Sequence, residues 1–268
     1  MKLPVAVIIV VAIATPLPAQ WANYATPGVP KTPNGTPNLG APTPRTPDGK
    51  PDLSGIWEAE NTRPCPADGC FDSMKIGDQF IDLGARLKGG LPYQPWAAAA
   101  VKVRSAENGK DDPETHCMPL GVPRTHIFPN FRKILQVPGL VVFLDEHNAS
   151  YRQIFTDGRP LPVDPQPSWN GYSIGTWEGD TLVVRTNGLR DGMWLDRSGS
   201  PTTDAAKVTE RFRRINYGNM EIEITVDDTK AYTAPWTIKI NHNIVLDTEL
   251  IDYVCAENEK DAPRMIGK

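Results

Sequence analysis

The feature that most constrains this chain is a train of short β-type segments in its second half. From residue 133 onward, brief apolar or alternating runs are separated by Gly, Pro, Asn and Asp. They span 140–146, 150–156, 172–177, 181–186, 207–215, 220–226, 236–245 and 249–255. Glu178-Gly179-Asp180 and Gly218-Asn219 are hairpin signals between neighbouring runs. No βαβ alternation and no internal repeat interrupts the series. Such a succession predicts a mainly β fold, an antiparallel meander that forms a barrel or a barrel-like sandwich.

Side chains alternate between the two faces of a strand, so the runs also predict what lies inside. In 220–226 the inner face is Met220, Ile222, Ile224 and Val226, with Glu221, Glu223 and Thr225 outside. The same reading puts Glu210 beside Val208 and Phe212, His242 beside Ile238 and Ile240, and Asp252 beside Leu250 and Val254. An ionisable group on an apolar face must be paired, sit at a barrel mouth or shift its pKa. Each therefore reads either as a structural ion pair or as part of an acid–base or ligand site.

A second cluster sits in the loops. His147 and Asn148 lead into the 150–156 run, and Asp157, Arg159, Asp164, Trp169 and Asn170 follow it. Asp191, Trp194, Asp196 and Arg197 lie beyond the next hairpin. Indoles beside carboxylates and guanidinium groups offer a stacking face with directional hydrogen bonds, which suits a sugar or an aromatic ligand. The site is expected at one barrel end, where the loop after 150–156 meets the loop over 187–200. Its ligand-binding residues would be His147, Arg159, Trp169, Asp191, Trp194 and Asp196. Asp157, Asp164 and Glu210 are the carboxylates available for acid–base chemistry. The bland alternative is that Asp157-Gly158 and Asp191-Gly192 are turns, and that Trp169 and Trp194 plug the barrel.

The N-terminal half reads differently. Lys2, the apolar stretch 3–15 and the small residue Ala19 after Pro16 and Pro18 have the layout of a secretory signal peptide over 1–19. The apolar stretch, roughly 13 residues, is short of the ~20 that span a bilayer. No integral membrane segment is expected after cleavage, and the location is periplasmic or secreted. Residues 20–51 are rich in Pro, Gly and Thr and read as a linker, either a spacer or an arm laid across the domain. Residues 52–268 make a single β-rich domain. Pro95, the Ala97–Ala100 run and the cations Lys102 and Arg104 predict one helix near 95–107, packed outside the strands. A shorter helix is expected near 79–87.

Four cysteines in an exported chain favour disulfides. Cys65 and Cys70 flank a Pro-Ala-Asp-Gly turn and are paired locally, which leaves Cys117 with Cys255. Paired C-x-x-C spacing and the C-x-x-C-H haem signature are absent, the four histidines are scattered, and no metal or cofactor is expected. The formal net charge of −4, with no basic block, argues against nucleic acid and against anionic membrane surfaces. There is no G-x-S-x-G, no H-E-x-x-H and no phosphate loop. The expected partner is a small molecule, and composition carries no signal for or against self-association.

Two resemblances add to this. Gly55-Ile56-Trp57 resembles the G-x-W opening of lipocalin-type barrels, which implies a calycin-like barrel with Trp57 closing one end. The stretch from Cys117-Met118-Pro119-Leu120-Gly121 to Cys255-Ala256-Glu257-Asn258-Glu259 resembles an uncharacterised family of exported bacterial proteins. The likeness runs through 151–160, 168–184, 194–199 and 208–213. It implies an exported β-rich protein and carries no activity. The family often has histidines near the positions of Ser200 and Thr202, so the resemblance implies no histidine chemistry in that loop here. The leading expectation is an exported small-molecule-binding barrel. A hydrolase or lyase using carboxylates, with Arg159 stabilising charge, and a structural envelope protein are the alternatives.

Overall fold

A computed structural model describes residues 24–60, 78–255 and 257. The signal-peptide reading, Cys65 and Cys70 lie outside the described residues. The strands are β1 (Gly55–Ala59), β2 (Arg132–Val137), β3 (Leu140–Asp145), β4 (Ser150–Phe155), β5 (Tyr172–Glu178), β6 (Thr181–Asn187), β7 (Met193–Trp194), β8 (Pro201–Thr202), β9 (Lys207–Arg214), β10 (Asn219–Asp227) and β11 (Trp236–Val245). Nine of them close a barrel in the order β1-β11-β10-β9-β6-β5-β4-β3-β2, with β1 paired to both β11 and β2. β7 and β8 form a separate ribbon.

The expected barrel is present, with one departure from a pure meander. β4 and β5 run parallel, joined only at Ile154–Ser173 and Phe155–Ile174. The connection over 156–171 carries the chain back to the start of β4, and the short ladder leaves the two strands parted along much of β4.

Alternation accounts for the core. Met220, Ile222, Ile224 and Val226 are buried against Val208, Phe212, Ile238 and Ile240 of the neighbouring strands. Leu182, Val184, Ile154, Phe143, Val141 and Ile134 continue the lining around the ring. Trp57 is fully buried, its indole donates to the Leu53 carbonyl at 3.0 Å, and the Arg214 guanidinium lies over its ring.

Two expectations about strands need correction. No strand forms over 249–255. That segment crosses the β3–β4 end as an irregular strap, held there by a single His147–Tyr253 bridge and by its Ile251 and Cys255 amides donating to Glu146 and Asn148. Asp252 is accordingly exposed rather than inward. β1 already occupies the place beside β11, so the segment that follows β11 finds no edge there to pair with. Conversely β2 is a full strand that the apolar pattern does not mark, because Arg132 and Gln136 stand among its inward positions beside Ile134.

Two α-helices occur among the described residues. α1 (Asp78–Ile81) is shorter than the 79–87 expected. α2 (Pro95–Ala106) has Pro in its first turn, buries Ala97 and lies outside the barrel. Trp96 donates to the Lys230 carbonyl, and Arg104 donates to the Gly199 carbonyl at 2.6 Å and stacks over Trp194. No helix among the described residues is long and apolar enough to cross a membrane. Of the spacer and the arm, residues 24–51 take the arm. Tyr217 and Gly218 donate to the Ala41 and Leu39 carbonyls, and Arg45 pairs with Asp180 at 2.6 Å. Cys117 and Cys255 form a disulfide with Cα atoms 5.3 Å apart, which fastens the strap.

Candidate functional site

The barrel interior is not only apolar. Period two turns Arg132 on β2, Asp145 on β3, Arg152 on β4, Ser173 on β5, Thr186 on β6, Glu210 on β9 and His242 on β11 inward, and all are buried. His126, on a 3-10 turn over Arg124–His126, enters the same space. Glu210 is the hub. It accepts from His126 Nε2 at 2.6 Å, from Arg152 Nη1 at 2.9 Å and from Arg152 Nη2. Arg152 spends its remaining donors on Ser173 Oγ at 3.1 Å and Thr186 Oγ1 at 2.9 Å. Arg132 donates to His126 Nδ1 and faces Asp145 at 3.4 Å. His242 Nε2 donates to the His126 carbonyl at 2.8 Å.

This geometry sets the protonation states. Arg132 can only donate, so His126 Nδ1 is an acceptor and the ring proton sits on Nε2, aimed at Glu210. Burial pushes His126 down to about 4, against the Glu210 bond that favours its charged form, so the imidazole is neutral at neutral pH. Burial would push Glu210 up. The Arg152 charge and the bonds from His126 and Arg152 reverse this and hold it down at about 2. A carboxylate so fully bonded, with so low a pKa, is a poor general base. Glu210 is inward as expected, and its work is to neutralise buried arginine.

The parting of β4 from β5 opens a surface groove of about 460 Å³. Its floor includes Arg152 and Ser173, the outer edge of the interior network. Tyr151, Phe155, Trp169 and Tyr172 are its aromatic lining. Trp169 can stand there because Gly121 lies against it. A Cβ on Gly121 would come within 2.5 Å of the Trp169 carbonyl oxygen. Asn170 donates to the Tyr151 carbonyl at 2.9 Å and bridges the parted segments. Arg190 lies over the outer face of Trp169, its guanidinium carbon 5.5 Å from the ring centre.

The loop after β4 does meet the start of the 187–200 loop. Ser168 bridges Leu189, and Asn187 donates to the Pro162 carbonyl. The expected cluster nevertheless divides. Trp169 lines the groove, and Arg159 borders it, stacked on Phe155 and donating to the Tyr172 hydroxyl at 3.3 Å. Arg159 is otherwise engaged by Asp157, at 2.6 Å. Asp164 and Asp191 are exposed. Trp194 is buried beneath α2, at a separate concavity with Val103 and Arg104. Asp196 is fully buried and accepts from Ser200 Oγ at 2.6 Å and from the Ser200 and Leu83 amides. Burial pushes its pKa up against those bonds. Trp194 and Asp196 thus hold the β7–β8 ribbon to the helices, away from the groove. His147 is only 2% exposed, between the Phe128 and Tyr253 rings, and burial pushes it down to about 4. It packs the strap and lines neither concavity.

Sequence reasoning passed over Arg152, Ser173 and His126. The first was within reach: alternation in β4 puts Arg152 on the face of Ile154. His126 sits on an irregular segment with no period to read. Among the described residues, no group of three or more His, Cys, Asp or Glu side chains is arranged to hold a metal ion. Compared with protein-family models and with curated proteins, the chain matches none.

Proposed function

We propose that this is an exported barrel that binds a small molecule, a sugar or an aromatic compound, in the groove between β4 and β5. One observation carries the reading: four aromatic residues, Tyr151, Phe155, Trp169 and Tyr172, line one groove together with the polar residues Gln153, Ser168 and Asn170. Flat apolar faces with a few placed hydrogen-bonding groups are the recognition chemistry of ring-shaped ligands. The signal-peptide layout of residues 1–19 and the Cys117–Cys255 disulfide support work in the periplasm or outside the cell, where disulfides persist. The likeness to exported bacterial proteins points the same way. The catalytic alternative has less behind it. Glu210 is saturated, Asp157 is tied to Arg159, and Asp164 stands exposed outside the groove.

The test is a thermal-shift screen with sugars and phenolic compounds, followed by calorimetry on any hit. A ligand at about 100 times its dissociation constant adds ~2.7 kcal/mol to stability. Trp169→Ala should weaken a hit at least about tenfold, the loss of roughly 1.4 kcal/mol of stacking. A hit whose affinity is indifferent to Trp169→Ala and to Tyr151→Ala would overturn the groove as its site.

A further inference from the structure

The outer wall of the barrel is built in two ways. Across β9, β10 and β11 the outward residues are polar: Arg211, Arg213, Glu221, Glu223, Lys239 and Asn241. Across β2, β3 and β4 they are not. Register aligns Leu135 with Val142 and Val137 with Leu140, and Leu144 stands in the next row. Tyr151 and Phe155 continue these rows on β4, opposite Leu144 and Leu140. Their inward neighbours mix core side chains, Ile134, Val141, Phe143 and Ile154, with the buried ions Arg132, Asp145 and Arg152, so the outward face is the more uniformly apolar of the two. Leu135 is 41%, Val137 51% and Tyr151 64% exposed. An antiparallel sheet with one wet face ordinarily alternates apolar with polar.

We propose that this face is the contact surface for a second copy of the chain, making a two-fold symmetric dimer. Its charge suits a copy of itself. Its cations are both neutralised: Lys133 by Glu249 at 2.6 Å and Arg159, which lies over Phe155 at its margin, by Asp157 at 2.6 Å; Gln153 is its uncharged polar residue. Two such faces meet without placing like charges together. Its size suits the core of an interface. Three six-residue strands at a 3.4 Å rise and 4.8 Å spacing span on the order of 250 Å². A standard interface takes about 800 Å² from each partner, of which the centre is apolar and the rest a polar rim. A bilayer is the poorer fit, because the chain carries a net charge of −4 and would be repelled by anionic lipid. Tyr151 and Phe155 also form one wall of the groove, so each groove would open at the edge of the interface.

Sedimentation velocity on the disulfide-bonded chain over roughly 1–100 µM tests this, a range that brackets ordinary dimer affinities. The expected mass is twice that of the monomer. Val142→Glu, at the centre of the face, should weaken the dimer at least about 100-fold, since two carboxylates would be buried across the axis. Leu135→Lys, at a more exposed position, should weaken it also, with an unchanged circular dichroism spectrum showing that the barrel is folded. Lys239→Glu, on the polar wall, should leave the dimer intact. A wild-type chain that stays monomeric at 100 µM, or a dimer indifferent to both Val142→Glu and Leu135→Lys, overturns the proposal. A monomer that co-sediments with phosphatidylcholine vesicles, and loses this with Val142→Glu, would assign the face to lipid instead.

Discussion

Arg152 and Arg159 stand on one short stretch of chain, each forked onto a carboxylate, and their surroundings are opposite. Arg152 meets Glu210 inside the barrel, where both side chains are almost wholly enclosed. Arg159 meets Asp157 in a turn, with both side chains about two-fifths exposed. Inside, charges lose their water and must be matched bond for bond, so Ser173, Thr186 and His126 gather around the pair. Outside, water does that work and the pair can be loosened at little cost. Composition alone cannot tell one pair from the other; strand alternation can.

The sharpest way to break the comparison is to remove one partner inside. Glu210→Ala leaves Arg152 buried without its counter-charge and His126 Nε2 without its acceptor. Loss of one member of a buried pair costs about 3–5 kcal/mol. Urea unfolding should show this as a lower midpoint at an unchanged slope. A loss below about 1 kcal/mol would mean the interior tolerates an unpaired arginine, and the distinction between inside and outside would fail.

Acid should attack the inside next. His126 is held at about 4 when folded and has an ordinary value of 6.5. Between those values the unfolded chain takes up a proton that the folded chain refuses. Stability from this group is therefore full above pH 6.5 and is lost as pH falls towards 4, on the order of 3 kcal/mol. His147 behaves alike, and His242 is pushed down further in the same direction by burial. Glu210, at about 2 when folded against 4.5, adds a later loss as pH falls from 4.5 towards 2. Melting temperature should decline from about pH 6.5 downward. In His126→Gln the first part of that decline should shrink. A flat profile between pH 7 and 5 would contradict the buried neutral imidazoles.

The barrel was legible in the sequence because most of its strands alternate cleanly. Residues 220–226 and 236–245 carry one apolar face each, and the structure buries those faces. β2 was hidden by the arginine and glutamine among its inward residues, and 249–255 misled because it alternates without a partner to pair with. Glu210 and His242 were readable as inward for the same reason as their neighbours. The groove was not readable. It depends on two parallel strands sharing only two residue pairs, and on Gly121 admitting the Trp169 backbone, neither of which is periodic. Asp196 and Trp194 looked like site residues because they are polar and aromatic in a loop. The 193–196 part of that loop is buried, so the same chemistry became scaffolding.

Asp196 sharpens the comparison at smaller scale, being a buried carboxylate held by hydroxyl and amides rather than by a cation. Asp196→Ala leaves the Leu83 and Ser200 amides and the Ser200 hydroxyl without their acceptor, a cost of about 1–3 kcal/mol. The result should fall below that of Glu210→Ala in the same unfolding assay. An equal or larger loss would mean that bonding to a cation is not what sets the barrel interior apart.

The smallest effect belongs to Arg159. Its guanidinium lies flat over Phe155, its carbon 3.9 Å from the ring centre, while its fork holds Asp157 and Tyr172. Lysine keeps the charge and loses both the plane and the fork. Water screens the Asp157 pair, so Arg159→Lys should leave the melting temperature unchanged within error. The stack is another matter, because Phe155 and Tyr172 both line the groove. With the plane gone, Phe155 and Tyr172 lose the group that fixes their outer edge, and any ligand they contact should bind more weakly at equal stability. A drop in melting temperature with ligand affinity intact would reverse the assignment. Arg159 would then be a brace for the β4 end, and the border of the groove would be drawn at Phe155.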